Sequence, residues 1–229
     1  MRPLIVAIDG PAGAGKSTVS KLLARRLGLS FVDSGALYRT VALSALRQGI
    51  VTDDDAALAA LVGRIRISFK ATADENRVYL DGEDVSAEIR TPEVSLLASA
   101  VSARPVVRAG LLGLQRRLAL EAPVGAVLEG RDIGTVVFPD ADLKFFLEAS
   151  PDVRARRRYE ELFQKGSDSS LDAVLADQIK RDRDDSSRAV APLKPAEDAT
   201  RVDTSGLPLS EVVQNLERVI RERLATRGG

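Results

Sequence analysis

The sequence predicts an α/β protein built on a doubly wound parallel sheet of about five strands. Three observations carry that prediction. An apolar run over residues 4–8 leads into Gly10-Pro11-Ala12-Gly13-Ala14-Gly15-Lys16-Ser17, then into helix-spaced Val19, Leu22, Leu23 and Leu27. Short apolar runs then alternate with helical periods, the pattern of βα units. The 229 residues, 45% of them hydrophobic, can bury a core without metals or disulfides.

The first element is the strand over 4–8. The glycine-rich stretch after it has the form G-x-x-x-x-G-K-[ST], continued by Thr18. Strand, tight loop and helix are the context in which this motif cradles phosphate. The glycines let several backbone N–H groups turn towards an anion, and the helix that opens there adds its positive dipole end. Lys16 is expected to reach the β- and γ-phosphates of a nucleoside triphosphate and Ser17 to take a Mg²⁺ position. A helix over 16–27 closes at Gly28. A strand over 29–32 leads to Asp33-Ser34-Gly35, and a helix follows with Leu37, Tyr38, Val41, Ala42, Ala45 and Leu46 inward, ending at Gly49. The acids of Thr52-Asp53-Asp54-Asp55 read as caps of the next helix rather than metal ligands.

The texture then changes. Residues 64–70 alternate strictly, and Arg77-Val78-Tyr79-Leu80 runs into Asp81-Gly82, a hairpin signal. We read 64–103 as an inserted, small antiparallel and helical subdomain. Thr91-Pro92 starts a helix that Arg104-Pro105 interrupts, and a second runs to about residue 121. The parallel pattern resumes with strands over 124–128 and 143–147. Ser150-Pro151 then opens a highly charged helix over 152–165, with a loop over 166–170. Another charged helix over 171–188, closed off by Pro192 and Pro195, a strand over 200–204 and a terminal helix from about 209 complete the chain.

Composition removes whole classes of chemistry. With no cysteine and no histidine, disulfides, thiolate metal sites and His-dependent mechanisms are excluded. Phosphoryl transfer survives, because it needs positioning and positive charge more than a general base. A formal net charge of zero does not indicate nucleic-acid binding. No stretch has the uncharged length of a membrane span. Met1-Arg2-Pro3-Leu4 runs straight into a strand, which is not the form of a signal peptide, so with the need for cellular nucleotides a cytoplasmic location is expected, and a monomer is the default expectation.

Residues expected at strand C-termini form one group: Asp33, Ser34, Tyr38, Arg39, Glu129, Arg131 and Asp132. In a doubly wound sheet these ends are where ligand binds. Arg39 and Arg131 could fork onto a second phosphate, that of an acceptor. Glu129 and Asp33 could sit near Mg²⁺ through its waters, or serve as a cap or an Arg partner. Arg154, Arg157 and Arg158 share one face of the charged helix, either as a solvated face paired with Glu160 and Glu161 or as a lid over a triphosphate. Arg181, Asp185 and Arg188 form a stripe at i, i+4, i+7, a salt-bridge ladder or part of a site.

The residues 10–18, Asp33-Ser34-Gly35-Ala36-Leu37-Tyr38-Arg39, Gly130-Arg131-Asp132-Ile133-Gly134-Thr135-Val136-Val137-Phe138-Pro139 and Arg188-Ala189-Val190-Ala191-Pro192-Leu193 resemble those of the bacterial cytidylate kinases, P-loop kinases that phosphorylate CMP and dCMP. The segment Asp81-Gly82-Glu83-Asp84-Val85-Ser86, with Ile89-Arg90-Thr91, resembles the insertion of that bacterial type. The resemblance covers essentially the whole chain. It implies an NMP-binding role for the subdomain over 64–103 and a lid over 152–170. It implies that Gly10, Pro11, Ala12, Gly13, Ala14, Gly15, Lys16, Ser17, Thr18 and Arg157 bind ATP. It also implies that Arg39, Arg131 and Arg188 hold the acceptor phosphate near Ser34. Ser99, Arg108 and Asp132 would read cytosine, Arg181 and Asp185 would approach the sugar, and Arg154 and Arg158 would act with Lys16 and Arg131 on the transferred group. Glu129 stands where some members carry aspartate. Cytosine offers an N4 donor beside N3 and O2 acceptors, so a carboxylate at Asp132 and a fork at Arg108 suit it. Uracil would turn O4 towards that carboxylate.

The expected reaction is direct transfer of the ATP γ-phosphoryl to the 5′-phosphate of CMP or dCMP, with Mg²⁺. A kinase of the same architecture for UMP or a small metabolite is the nearest rival. A nucleotide-gated switch is a remoter one, since the only K-x-D, in Lys180-Arg181-Asp182, lacks the preceding Asn or Thr of a guanine reader.

Overall fold

In the computed structural model, which describes residues 2–71, 76–164, 166 and 168–227, the first apolar run is strand β1 (Leu4–Asp9), buried along its length. Met1, Lys165 and Ser167, included above in the chain start, a helix end and a loop, lie outside the described residues. The elements that follow are α1 (Lys16–Leu27), β2 (Ser30–Asp33), α2 (Ser34–Arg47), α3 (Asp55–Arg64), β3 (Ile67–Ala71), β4 (Asn76–Leu80), β5 (Glu83–Asp84), α4 (Pro92–Ser102) and α5 (Pro105–Leu120). Then come β6 (Gly125–Gly130), β7 (Leu143–Glu148), α6 (Pro151–Gln164), α7 (Leu171–Ser186), β8 (Thr200–Asp203) and α8 (Leu209–Arg227). Two compact units result: Met1–Val32 with Leu118–Gly229, and Asp33–Arg117.

The first unit carries the five-stranded sheet, in the order β2-β6-β1-β7-β8. β1 pairs in parallel with β6 from Leu4↔Gly125 to Asp9↔Gly130, and with β7 from Val6↔Leu143 to Asp9↔Phe146. A strand flanked on both sides and covered on both faces must be apolar without alternation, which is why β1 reads as an unbroken run. Leu4, Val6 and Ile8 pack with Val19 and Leu23 of α1 and with Val212, Val213, Leu216 and Ile220 of α8. The chain leaves β1 for β2 on one side and later returns to β7 on the other, so the strand order reverses at the carboxyl end of β1. In open α/β sheets that end is where ligands bind. Among the described residues, no single helix is long and apolar enough to cross a membrane.

The second unit carries β3, β4 and β5 as an antiparallel sheet. Its pairing runs from Ile67↔Leu80 to Ala71↔Asn76, then Tyr79↔Asp84 and Leu80↔Glu83. Asp81 and Gly82, both at positive φ (50° and 91°), make the tight turn of β4 and β5, the mirror-image geometry that twisted hairpins require. The hairpin signal is thus real, but its second strand is a two-residue piece too short to show a period. Arg47 at the end of α2 forks onto Glu83 (2.7 and 2.8 Å) and Glu88 (2.8 and 2.9 Å), tying this sheet to the helix. The expected caps form: Asp33 accepts from Ala36 N–H, Asp54 from Ala57 N–H and Thr91 from Val94 N–H. Pro105 starts α5 at 99° to α4.

One sequence expectation needs correction. α7 ends at Ser186, where Ser187 N–H closes on the Arg183 carbonyl at 2.9 Å, so Arg188 lies beyond the helix rather than on its stripe. The Leu193 N–H reaches back to the Asp185 carbonyl at 2.9 Å, and Ala191 takes φ 53°, which folds the Arg188 segment over instead of continuing the helix.

Candidate active site

The loop after β1 is shaped by what its glycines avoid. A Cβ on Gly10, at φ 146°, would lie 1.9 Å from the Leu147 carbonyl oxygen of β7. A Cβ on Gly13, at φ 77°, would press on Arg154 and on the Gln178 amide, both at 3.0 Å. The loop therefore lies flat against the sheet end, and α1 opens from Gly15 without a side-chain cap, leaving its first amides to an outside acceptor. Lys16 is buried and donates to the Pro11 carbonyl at 2.7 Å, curling back over the loop. Burial, then the Arg131 guanidinium, push its pKa down to about 7, with Glu129 and Asp9 opposing and Arg181 adding repulsion. The Ser17 hydroxyl donates to Glu129 Oε2 at 2.8 Å, bringing together two residues from the metal expectation.

A second cluster in the same unit gathers around Asp185. This carboxylate, 2% exposed, accepts from Arg131 Nε at 2.8 Å and pairs with Arg188. Arg131, Arg188 and Arg181 hold its pKa below the ordinary carboxylate value against the effect of burial. Arg131 also donates to the Gly130 carbonyl at 3.4 Å. Three expected acceptor residues thus form one charged knot, and Asp185 spends its oxygens on arginines. Asp132, buried, precedes a wide i→i+5 turn over Ile133–Val137.

The three arginines of α6 have different surroundings. Arg154 is 3% exposed: it donates to the carbonyls of Ala149 (2.9 Å) and Ala12 (3.1 Å) and pairs with Asp182 at 2.7 Å. It braces the loop from beneath. Arg157 donates to the hydroxyl and carbonyl of Thr204 at 3.1 and 2.6 Å. Arg158 is half-buried and pairs with the exposed Glu161 at 3.0 Å, a contact of the solvated kind.

In the other unit, Asp33 caps α2 at 2.8 Å and holds Arg39 Nη2 at 3.1 and 3.4 Å, so its carboxylate serves as both cap and Arg partner. Ser34 is buried at the start of α2. Arg108, also buried, stacks over the Tyr38 ring at 5.4 Å and donates to the Ser102 carbonyl at 3.0 Å, while the Ser102 hydroxyl donates to Ser99. Tyr38, Ser99 and Arg108 are therefore neighbours.

Four contributors escaped the sequence reading. Asp9, buried at the end of β1, accepts from Ile133 N–H (2.8 Å) and Gly134 N–H (2.7 Å), and burial pushes its pKa up to about 6. An acid closing an apolar strand just before the loop was the available signal. Thr204 donates to the Ala14 carbonyl at 3.3 Å, so it supports the loop from just past β8. Asp182 and Gln178, one turn apart on α7, hold the Arg154 side chain and carbonyl.

The model of the family described as cytidylate kinase matches residues 6–222. The chain belongs to the cytidylate kinase family. It is 56% identical to a cytidylate kinase of Geobacter sulfurreducens over 97% of this chain and 94% of that one. Against a cytidylate kinase of Mycobacterium leprae it is 50% identical, covering 97% and 98% of the two chains. Among solved structures it is similar to a gluconokinase from Sinorhizobium meliloti, with TM-score 0.50, 16% identity and 99% and 98% coverage. An uncharacterized protein from Eubacterium ventriosum scores 0.52 at 12% identity, covering 95% and 98%. These two likenesses concern the fold alone. Membership of the family makes the chain an enzyme, a kinase.

The donor chemistry near Lys16 suits a hard divalent cation brought in by phosphate. Ser17 and Glu129 offer two protein oxygens side by side, and among the described residues no group of three His, Cys, Asp or Glu could hold a metal unaided. A cation with few protein ligands and several from phosphate and water is the usual state of Mg²⁺.

Proposed function

We propose that the chain transfers the γ-phosphoryl group of ATP to the 5′-phosphate of CMP or dCMP, giving CDP or dCDP and ADP. The observation that carries the reading is the geometry of unit one in a chain of the cytidylate kinase family: Lys16 curled over the phosphate loop, Ser17 beside Glu129, and Arg131 and Arg188 gathered on the buried Asp185. Repulsion among these cations is relieved when polyanions enter. The residues 10–18 and Arg157 bind ATP. Ser34, Tyr38, Arg39, Arg131 and Arg188 bind the acceptor phosphate end, with Arg181 and Asp185 at the sugar and Ser99, Arg108 and Asp132 at the base. Segment 64–103 serves the monophosphate and segment 152–170 acts as a lid. The enzyme works as a cytoplasmic monomer, with neither nucleic acid nor membrane as partner.

Little covalent chemistry falls to the protein. The acceptor oxygen is ionised near neutral pH, so no side chain need remove a proton. Lys16, Arg131, Arg154 and Arg158 offset charge while the two nucleotides are held in line. Ser17, and Glu129 through water, would hold a Mg²⁺ ion, whose chemistry there would be positive charge for the phosphate oxygens.

The test of this reading is turnover with CMP, dCMP, UMP and AMP, each with ATP and Mg²⁺. CMP and dCMP are expected to exceed UMP by at least about fivefold in kcat/KM, the selectivity of roughly 1–3 kcal/mol that an unpaired O4 at Asp132 gives. Equal or greater turnover of UMP would overturn it.

A pH effect follows from Lys16. Above about pH 7 its amine is mostly neutral in the free protein. Bound triphosphate favours the ammonium, so binding takes up a proton and affinity falls as pH rises through 7. Magnesium-free ATP titrated calorimetrically at pH 8, in buffers of different ionisation heat, is expected to show uptake approaching one proton. Zero uptake is the contrary result.

A further inference from the structure

Asp9 is a carboxylate 5% exposed at the carboxyl end of the central strand, close enough to Lys16 for its charge to bear on that ammonium. It immediately precedes Gly10, the first residue of the loop. Both its oxygens are committed to one short stretch of backbone: Oδ1 accepts from Ile133 N–H at 2.8 Å and Oδ2 from Gly134 N–H at 2.7 Å. Those amides directly follow Arg131 and Asp132.

The local geometry makes this contact hard to replace. Asp9 lies opposite Gly130 in the β1–β6 register, and a Cβ on Gly130 would stand 3.6 Å from Asp9 Oδ1 and 2.8 Å from Ile133. A Cβ on Gly134 would stand 3.4 Å from Asp9 Oδ2 and 3.1 Å from Lys144. Both glycines sit beside the carboxylate, and a methyl at either would meet Asp9 at ordinary contact distance while pressing harder on Ile133 or Lys144. On the far side, Val136 N–H and Val137 N–H donate to the Asp132 carbonyl at 2.9 and 3.2 Å, and Phe138 N–H to that of Ile133 at 2.7 Å. The first amides of this wide turn have no partner within it, as at any helical start, and Asp9 supplies it from another strand. The backbone of Asp132 is therefore held from both sides: its carbonyl by the turn, the next two amides by Asp9.

We propose that Asp9 is a positioning residue for cytosine selectivity, fixing the Arg131–Asp132 segment to the end of β1 so that the Asp132 carboxylate keeps its aim at the base. The proposal rests on the reading of Asp132 given above and assigns Asp9 no contact with nucleotide. It links the strand that launches the phosphate loop to the strand end that handles the acceptor. A charge-assisted, two-point hydrogen bond is the strongest way to make such a link without covalency.

The decisive variant is Asp9→Asn, which keeps the size and one acceptor oxygen but aims an NH₂ at a backbone N–H it cannot pair with. Gly134→Ala is the second variant: it retains the carboxylate but places a methyl 3.1 Å from Lys144 and 3.4 Å from Oδ2, so it shifts the stretch that Asp9 holds and decides the matter if Asp9→Asn fails to fold. Asp132→Ala, run alongside, marks the full loss of base reading. The readout is the CMP/UMP ratio of kcat/KM, with the KM for ATP measured in parallel. Asp9→Asn is expected to lower the ratio about tenfold and raise the KM for CMP, the loss of one charge-assisted bond. The KM for ATP should stay within about threefold, and Gly134→Ala should shift the ratio the same way by less. A merely structural role would reduce the folded fraction and leave the ratio and both KM values unchanged. If the wild type prefers CMP and neither variant moves the ratio, the positioning role is overturned alone. If the wild type shows no preference for CMP, the reading of Asp132 falls, and this role with it.

Discussion

Lys16→Ala is expected to lower kcat about 10³-fold while the protein stays folded, an effect of the size found when one preorganised charge or donor is removed from a polar active site. Lys16 is buried, bent over the loop onto the Pro11 carbonyl, and surrounded by Arg131, Arg181, Glu129 and Asp9. Its charged form is disfavoured in the free protein, so losing it relieves one unfavourable interaction. The cost to stability is the Pro11 carbonyl left without its donor, about 1–3 kcal/mol, or a few degrees in Tm. Function suffers far more, because no other ammonium replaces the charge that two approaching anions need. Steady-state kcat with CMP and ATP, set beside a thermal melt, separates the two effects. A kcat within tenfold of wild type in a folded variant sinks the role of Lys16.

The separation between activity and stability reflects how the site is built, and that in turn decides what was legible in the sequence. The phosphate loop could be read because glycine spacing, an apolar strand and a helical period are all local. The parallel sheet of about five strands followed from βα alternation, and the caps near Asp54 and at Thr91 from residue type, while at Asp33 a cap was one of several open readings. What could not be read depends on distant partners. β5 is two residues long, and the wide turn over Ile133–Val137 has no periodic signature. Arg154 and Arg158 look alike in the Arg-rich run; only their partners, Asp182 and two carbonyls for one, Glu161 for the other, tell them apart. Asp185 looked like one rung of a helical stripe. It is a buried anion shared by two arginines, one of them past the helix end. Asp9 stands where an acid closes an apolar strand before the loop, but only the Ile133 and Gly134 amides that meet it reveal what that acid does.

Arg131→Ala is expected to lower kcat/KM for CMP about 10³-fold, through both kcat and KM, with a smaller change in KM for ATP. Arg131 does two things that no neighbour duplicates. Its guanidinium shares the buried Asp185 with Arg188, which aims the fork, and its charge bears on Lys16 as the second largest cause of the lowered pKa there. Two cations that repel across a site are stabilised when an anion enters, and a transferring phosphoryl group brings more charge within their reach than either ground-state nucleotide does alone. Removing Arg131 removes that differential stabilisation. Asp185 keeps Arg188, so the buried carboxylate is not left unpaired and the fold survives. Arg131→Lys should recover little activity, since an ammonium cannot make the Nε contact to Asp185 and present a planar fork to phosphate at once. The same substitution to alanine should raise the Lys16 pKa, so proton uptake on ATP binding at pH 8 shrinks. Full turnover in Arg131→Ala, or unchanged proton uptake, contradicts the coupling of these two cations.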